Sequence, residues 1–282
     1  MNLLRLLPIL AFLHLPAQSA PMTLAPEIHA KALAILRESL ALADDPDQFW
    51  VAMHAAEGLT LGGYGAELIP VLVPRLATEQ DAQRRCGLAR ELVRAGHREA
   101  LPVLVEVLRS DDSYGHTHAA ESLYKVLEVG DEATMRERFL HGDSLKLRLM
   151  AAAALARGLN DVDAFAFIRE SLAGDDADGI QIGSWILGVI GNASDIEPIR
   201  NRIDAAPTPL IRAYVENALA SLGDPDGLAR LARNLSDEDP AIRTYAATFA
   251  GDAKAVSTQP LLEAMLDDPF PDARVRAAQT LL

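Results

Sequence analysis

Two short segments hold the residues best suited to chemistry. His54-Ala55-Ala56-Glu57 and His118-Ala119-Ala120-Glu121 repeat one His-x-x-Glu pattern. On a helix, positions i and i+3 share a face, so each pair offers an imidazole nitrogen and a carboxylate to a divalent cation. His116, in His116-Thr117-His118, adds one further donor. A single helix cannot close a coordination sphere, and the chain beyond His141 contains no histidine. Other chemistries find less support. Ser, His and Asp all occur, but nothing resembles a nucleophile elbow or a glycine-rich phosphate loop. Gly188-Val189-Ile190-Gly191-Asn192 lacks the third glycine and a preceding strand, and reads as a helix end. Cys86 is the single cysteine, so the chain has no intrachain disulfide and no CxxC zinc site, and Cys86 reads as packing. The expectation is a protein that is not an enzyme, with no catalytic residues, metal or cofactor. Glu57, Arg90 and Glu121 then form a carboxylate–guanidinium–carboxylate ladder across adjacent helices, each exposed pair contributing about 0–1 kcal/mol. A metal-dependent or cofactor-handling enzyme using the His-x-x-Glu pairs is the alternative.

The two pairs stand in one register because the chain repeats. A small residue followed three positions later by Leu recurs as Ala56/Leu59, Ala89/Leu92, Ala120/Leu123, Ala152/Leu155 and Ser184/Leu187. It weakens at Glu216/Leu219 and Ala247/Ala250 and returns at Ala278/Leu281. Four residues before the small position stand Arg85, Arg148, Arg212, Arg243 and Arg274, with His116 in the third copy. Gly62, Gly96, Gly158, Gly191, Gly223 and Gly251 follow the units, where a left-handed helix cap favours a residue without Cβ. Pro70, Pro102, Pro198 and Pro260 mark the first turn of the other helix of their periods, the short first one that precedes the small–Leu helix, where the missing N–H has no helical partner anyway. Each period therefore holds two helices, which bury both apolar faces only by stacking on neighbours. The prediction is an all-α fold: an α-solenoid, a right-handed superhelix of about eight two-helix repeats.

Asp239-Pro240-Ala241-Ile242-Arg243-Thr244-Tyr245-Ala246-Ala247 and Asp272-Ala273-Arg274-Val275-Arg276-Ala277-Ala278-Gln279-Thr280-Leu281 resemble HEAT repeats, and in particular the bacterial branch named after phycobilisome lyases. The resemblance covers about residues 27–282. It implies a structural role for Arg85, Arg148, Arg212, Arg243 and Arg274, with Asp143, Asp239 and Asp268 as candidate turn partners; Arg212 has no such Asp before it, and Ile180 replaces the Arg in the fifth unit. The resemblance to deoxyhypusine hydroxylase, a HEAT-repeat di-iron enzyme with His-Glu dipeptides in both halves, stops at that motif, since this sequence contains no His-Glu dipeptide.

With the small residue at zero, positions −2, +1 and +5 of each second helix point away from the apolar side, into the concave face solenoids use for partners. That stripe runs from His54 and Glu57 through Arg90, His118 and Glu121 to Asn217 and Thr248. The candidate binding residues on it are the cations Arg94, Lys125 and Arg157, the apolar Met150, Ile182 and Val189, and the aromatic Trp185, Tyr214 and Tyr245. The helix around Trp185 is apolar all round, which means either burial on every side or a docking patch. The expected function is a scaffold binding another protein of unknown identity. Net charge is −14, which argues against nucleic acid, with its one negative charge per about 1.7 Å of duplex.

Residues 1–19 read as a secretory signal: Arg5, an apolar run from Leu6 to Leu15 too short to span a membrane, then Ala17-Gln18-Ser19 and Pro21. The division is thus signal peptide 1–19 and repeat solenoid 20–282, exported to the periplasm or outside the cell, with no membrane span. At the ends, Glu27, Lys31, Arg37 and Glu38 are suited to a polar capping helix. Val275, Ala277, Ala278 and Leu281 match internal core positions with no following helix, so the C-terminal repeat is expected to self-associate or meet another chain, unless the sequence stops short or the last turn frays.

Overall fold

The computed structural model describes residues 23–282, so the signal-peptide expectation lies outside the described residues. The described chain is helical throughout, with sixteen α-helices and several short 3₁₀ turns. In chain order they are α1 (Pro26–Leu40), α2 (Phe49–Leu59), α3 (Ile69–Thr78), α4 (Ala82–Arg94), α5 (Leu101–Arg109), α6 (His116–Lys125), α7 (Glu132–His141) and α8 (Leu145–Leu159). Then follow α9 (Val162–Ala173), α10 (Ala177–Ile190), α11 (Ile196–Arg200), α12 (Pro209–Ser221), α13 (Pro225–Asn234), α14 (Pro240–Asp252), α15 (Gln259–Met265) and α16 (Pro271–Leu281). Consecutive helices pair into eight units, as the repeat predicts. No described helix is long and apolar enough to cross a membrane.

Local sequence sets the ends of these helices. Asp81, Asp131, Ser144, Asp161, Thr208 and Asp224 accept a backbone N–H from the first turn of the helix each precedes. Pro70, Pro102 and Pro260 stand in the first turns of α3, α5 and α15. The glycines divide. Gly96 and Gly223 take left-handed φ of 94° and 82° as expected, but α8 and α14 run past Gly158 and Gly251, and Asn160 and Lys254 make the left-handed turn instead. Gly158 is small for another reason: a Cβ there would lie 2.5 Å from Val129 Cγ2.

The even-numbered helices form an inner layer, and their small residues let them approach closely. Ala55, Ala56, Ala89, Ala120, Ala152 and Ala218 are fully buried, with Leu59, Leu92, Leu123 and Leu155 filling the space between layers. Outer helices are tied to one another by a bridge that repeats around the molecule. Arg109 meets Asp131 at 3.0 Å, Arg136 meets Asp161 at 2.6 Å, Arg169 meets Asp195 at 2.7 Å, and Arg200 meets Asp224 at 2.5 Å. In each case an outer-helix arginine reaches the aspartate at the start of the next outer unit.

The stack does not end in free faces. Each inner helix packs on the next from α2 to α16, and α16 in turn packs on α2 and α1. The eight units thus form a closed ring rather than an open superhelix. At the seam His54 Nδ1 lies 2.7 Å from Asp272, Glu57 2.8 Å from Arg276, and Lys31 2.6 Å from Asp267. A Cβ on Gly58 would come within 3.0 Å of Gln279, so the seam is packed as tightly as an internal joint. This corrects two expectations. Residues 27–42 do not cap a free end, and Val275, Ala277, Ala278 and Leu281 are no more than 4% exposed because the first unit covers them. The surface on which self-association through the C-terminal repeat rested is already occupied.

The register arginines act differently from the expected Arg–Asp pairing within a unit. Arg148 Nε donates to Phe139 O at 3.0 Å, near the end of α7, while Arg274 donates to Asp268 O at 2.5 Å and Arg243 to Asp237 O and Glu238 O, carbonyls of the preceding turn. Asp268 is a partner, but of Arg243 in the unit before it, at 2.7 and 3.0 Å. Asp239 caps α14 instead, Arg85 reaches Glu106, and Arg212 turns to Glu216 on its own helix.

Candidate functional site

Closing the ring turns the concave stripe into the wall of one central cavity of about 390 Å³. All eight inner helices contribute to it. Its wall has a charged sector from α2, α4, α6 and α16 and an aromatic sector from α10, α12 and α14, with Arg157 of α8 between them.

Of the stripe residues, Arg94, Lys125, Arg157, Trp185, Val189, Tyr214 and Tyr245 line the cavity together. Met150 and Ile182 do not: Met150 is 3% exposed within the core, and Ile182 packs against it. The run Ala151 to Ala154, fully buried, lets the helices beside α8 close over position −2. Asp252, Arg276, Gln279 and Leu61 also line the cavity. They occupy the same −2, +1 and +5 positions of the first, seventh and eighth units, so the register held the signal for them. Tyr124 and Phe249 fall outside those positions, and nothing in the periodicity marks them.

Arg94, Lys125 and Arg157 each stand in the last turn of a helix, where a cation offsets the negative end of the macrodipole. Glu57 accepts from Arg94 at 2.9 Å and Arg276 at 2.8 Å. Burial favours its neutral form, but the charges of Arg94 and Arg276 outweigh that and hold its carboxyl well below the ordinary range. Glu121 likewise overcomes burial through Lys125, 2.7 Å away, and Arg90, and falls to about 2. Arg90 is 4% exposed and bonds Glu91 at 2.5 Å, so the ladder expected on an exposed face is a buried network whose direct link is Arg90–Glu91–Arg94.

His54 is pushed below its ordinary value by burial and then by Arg276. A carboxylate only accepts, so the neutral ring donates its Nδ1–H to Asp272. His118 lies against Trp50, with ring centroids 5.3 Å apart. Among the described residues, no three His, Cys, Asp or Glu side chains converge as a metal would require. Cys86 is buried, and burial pushes its thiol up to about 12, far from a reactive thiolate.

On the aromatic side, the Tyr214 and Tyr245 ring centroids lie 4.8 Å apart, and Trp185 meets Tyr124 edge-on at 5.6 Å. The Lys125 ammonium sits 5.3 Å from the Trp185 centroid, and the Arg157 guanidinium 5.2 Å from that of Tyr124. This resolves the all-round apolar character of α10, where Ile180, Ile186 and Leu187 are core while Trp185 and Val189 face the cavity.

A family model of HEAT repeats matches residues 69–156 and 196–282, more than half of the sequence. The chain belongs to the HEAT-repeat family. The match does not single out the phycobilisome-lyase-like branch of HEAT repeats, and no curated protein matches the sequence. Human deoxyhypusine hydroxylase in complex with glycerol is similar in structure at a TM-score of 0.41 and 17% identity, over 90% of this chain and 96% of that one. An engineered protein is similar at 0.27 and 16%, over 87% and 94%. Scores this low carry no inference about activity.

Asp252 stands apart from the other HEAT-ring carboxylates. Although its side chain is exposed in the cavity, the surrounding protein and then the charge of Glu57 push its carboxyl up to about 6, against the opposing charges of Arg276, Lys125 and Arg157. An unfolded Asp ionises near pH 3.9, so between roughly pH 4 and 6 the folded protein holds a proton that the unfolded chain has lost. Stability from this group therefore falls as pH rises through that window. Asp252→Asn is expected to gain relative to wild type on going from pH 4 to pH 7, by on the order of 1 kcal/mol after discounting for water access. An equal difference in Tm at both pH values would contradict the assignment.

Proposed function

We propose that this chain is a non-catalytic binding scaffold that takes its ligand into the central cavity of the closed HEAT ring. The observation that carries the proposal is the convergence of all eight inner helices on one mixed aromatic and charged cavity of about 390 Å³. That size falls within the roughly 300–1,000 Å³ of small-molecule pockets. It suits a compact ligand, or a side chain or chain end of a protein partner, rather than a folded domain. With the signal reading of residues 1–19, the ring would work after export; intact-mass analysis of exported protein that still begins at Met1 would overturn that part.

Native mass spectrometry tests the cavity. Protein isolated from its host, or soaked in a host small-molecule extract, is expected to carry an added small mass that Val189→Trp, which fills the cavity, does not. Equal loading of wild type and Val189→Trp would place the ligand elsewhere. Stoichiometric metal in elemental analysis would favour the enzyme alternative over a non-catalytic scaffold.

A further inference from the structure

Six of the eight ionisable side chains on the cavity wall, tyrosines aside, are matched: Glu57 by Arg94 and Arg276, Glu121 by Lys125, and His54 by Asp272 behind it. Arg157 and Asp252 are not; neither has an opposite charge within 4.0 Å among the described residues. They nonetheless face the same space and are near enough for the charge of Arg157 to act on the Asp252 carboxyl. Two opposite charges that feel each other without being in contact are the complement of a ligand carrying both signs on adjacent groups. The wall shared with them is aromatic, with Trp185 on α10, Tyr214 on α12 and Tyr245 on α14. Beside Arg157, whose guanidinium is near enough to act on it, the buried Tyr124 hydroxyl has no hydrogen bond of good geometry. A plain anion would meet Glu57, Glu121 and Asp252, and a plain cation would meet Lys125 already over the Trp185 face. A peptide end carries one terminal charge, not two side by side.

We propose that the cavity binds a free α-amino acid with an aromatic side chain, its carboxylate on Arg157, its ammonium on Asp252 and its ring against Trp185, Tyr214 and Tyr245. This rests on the cavity being the ligand site.

The chain has two tryptophans, so in a Trp50→Phe background Trp185 alone reports on the cavity. That protein is titrated with L-phenylalanine, with 3-phenylpropionate, which lacks the ammonium, and with phenethylamine, which lacks the carboxylate. Phenylalanine is expected to bind at least about tenfold more tightly than either, as for the loss of one charge-assisted hydrogen bond. Arg157→Gln is expected to abolish the preference over phenethylamine while keeping that over 3-phenylpropionate, and Asp252→Asn to do the reverse. If either truncated ligand matches phenylalanine while all three perturb Trp185, the zwitterion assignment falls and the cavity reading stands. Preferences that survive both substitutions also overturn the assignment. If none of the three shifts Trp185 emission or Tm, the assignment fails, and the Val189→Trp loading experiment separately decides the cavity reading.

Discussion

Arg276→Ala is expected to destabilise the protein by about 3 kcal/mol, the low end of the range for breaking a buried ion pair. Arg276 lies on α16 and Glu57 on α2, separated by 219 residues in sequence and 2.8 Å in space. Their side chains are 7% and 13% exposed, so removing the guanidinium leaves a carboxylate in a poorly solvated place. Arg94 remains 2.9 Å from Glu57, which keeps the cost from rising further. For a domain of this size the loss corresponds to a fall in Tm on the order of 6–10 °C. The measurement that isolates the seam is a double-mutant cycle with Glu57→Gln, where a coupling of about 1–3 kcal/mol is expected. In an open solenoid these residues would sit at opposite ends and their effects would add. Additivity within about 0.5 kcal/mol would therefore refute ring closure.

The seam also marks the boundary of what the sequence could disclose. The small–Leu spacing, the register arginines and the first-turn prolines report how each unit packs on the next, and the eight helix pairs follow from them. The same periodicity serves an open array and a closed one, because what differs is a small rotation at every joint, which no single residue encodes. The seam contacts join residues 218 to 236 apart, and neither His54 nor Asp272 is unusual where it stands. The cavity was legible wherever the helix register alone decides exposure, as at Lys125, Trp185 and Tyr245. It was lost at Met150 and Ile182, where neighbouring helices close over the position, and at Tyr124 and Phe249, whose large rings reach the cavity from core positions. The outer Arg–Asp bridges did leave a trace, since Asp131, Asp161 and Asp224 each precede a helix. Only the fold shows that the same carboxylates that cap those helices also receive the arginine of the unit before.

The register arginines and the cavity arginine should separate in a comparison of three single substitutions. Arg243→Ala removes two bonds to Asp268, at 2.7 and 3.0 Å, and two more to the carbonyls of Asp237 and Glu238. Asp268 is 8% exposed and keeps the Phe270 N–H at 2.8 Å as a donor, so its charge is left buried and only partly compensated. A loss of about 3 kcal/mol follows. Arg148→Ala gives up one bond to Phe139 O at 3.0 Å and the stacking of its guanidinium 4.6 Å from the Phe167 centroid, together about 1–2 kcal/mol. Arg157 makes no ion pair and leans on Tyr124 from the open side of the cavity, so Arg157→Ala should cost no more than about 1 kcal/mol, well short of Arg243→Ala. Urea unfolding of the three variants measures this order through their midpoints. If Arg157→Ala cost as much as Arg243→Ala, Arg157 would be part of the frame that holds the ring together rather than a charge kept free for a ligand.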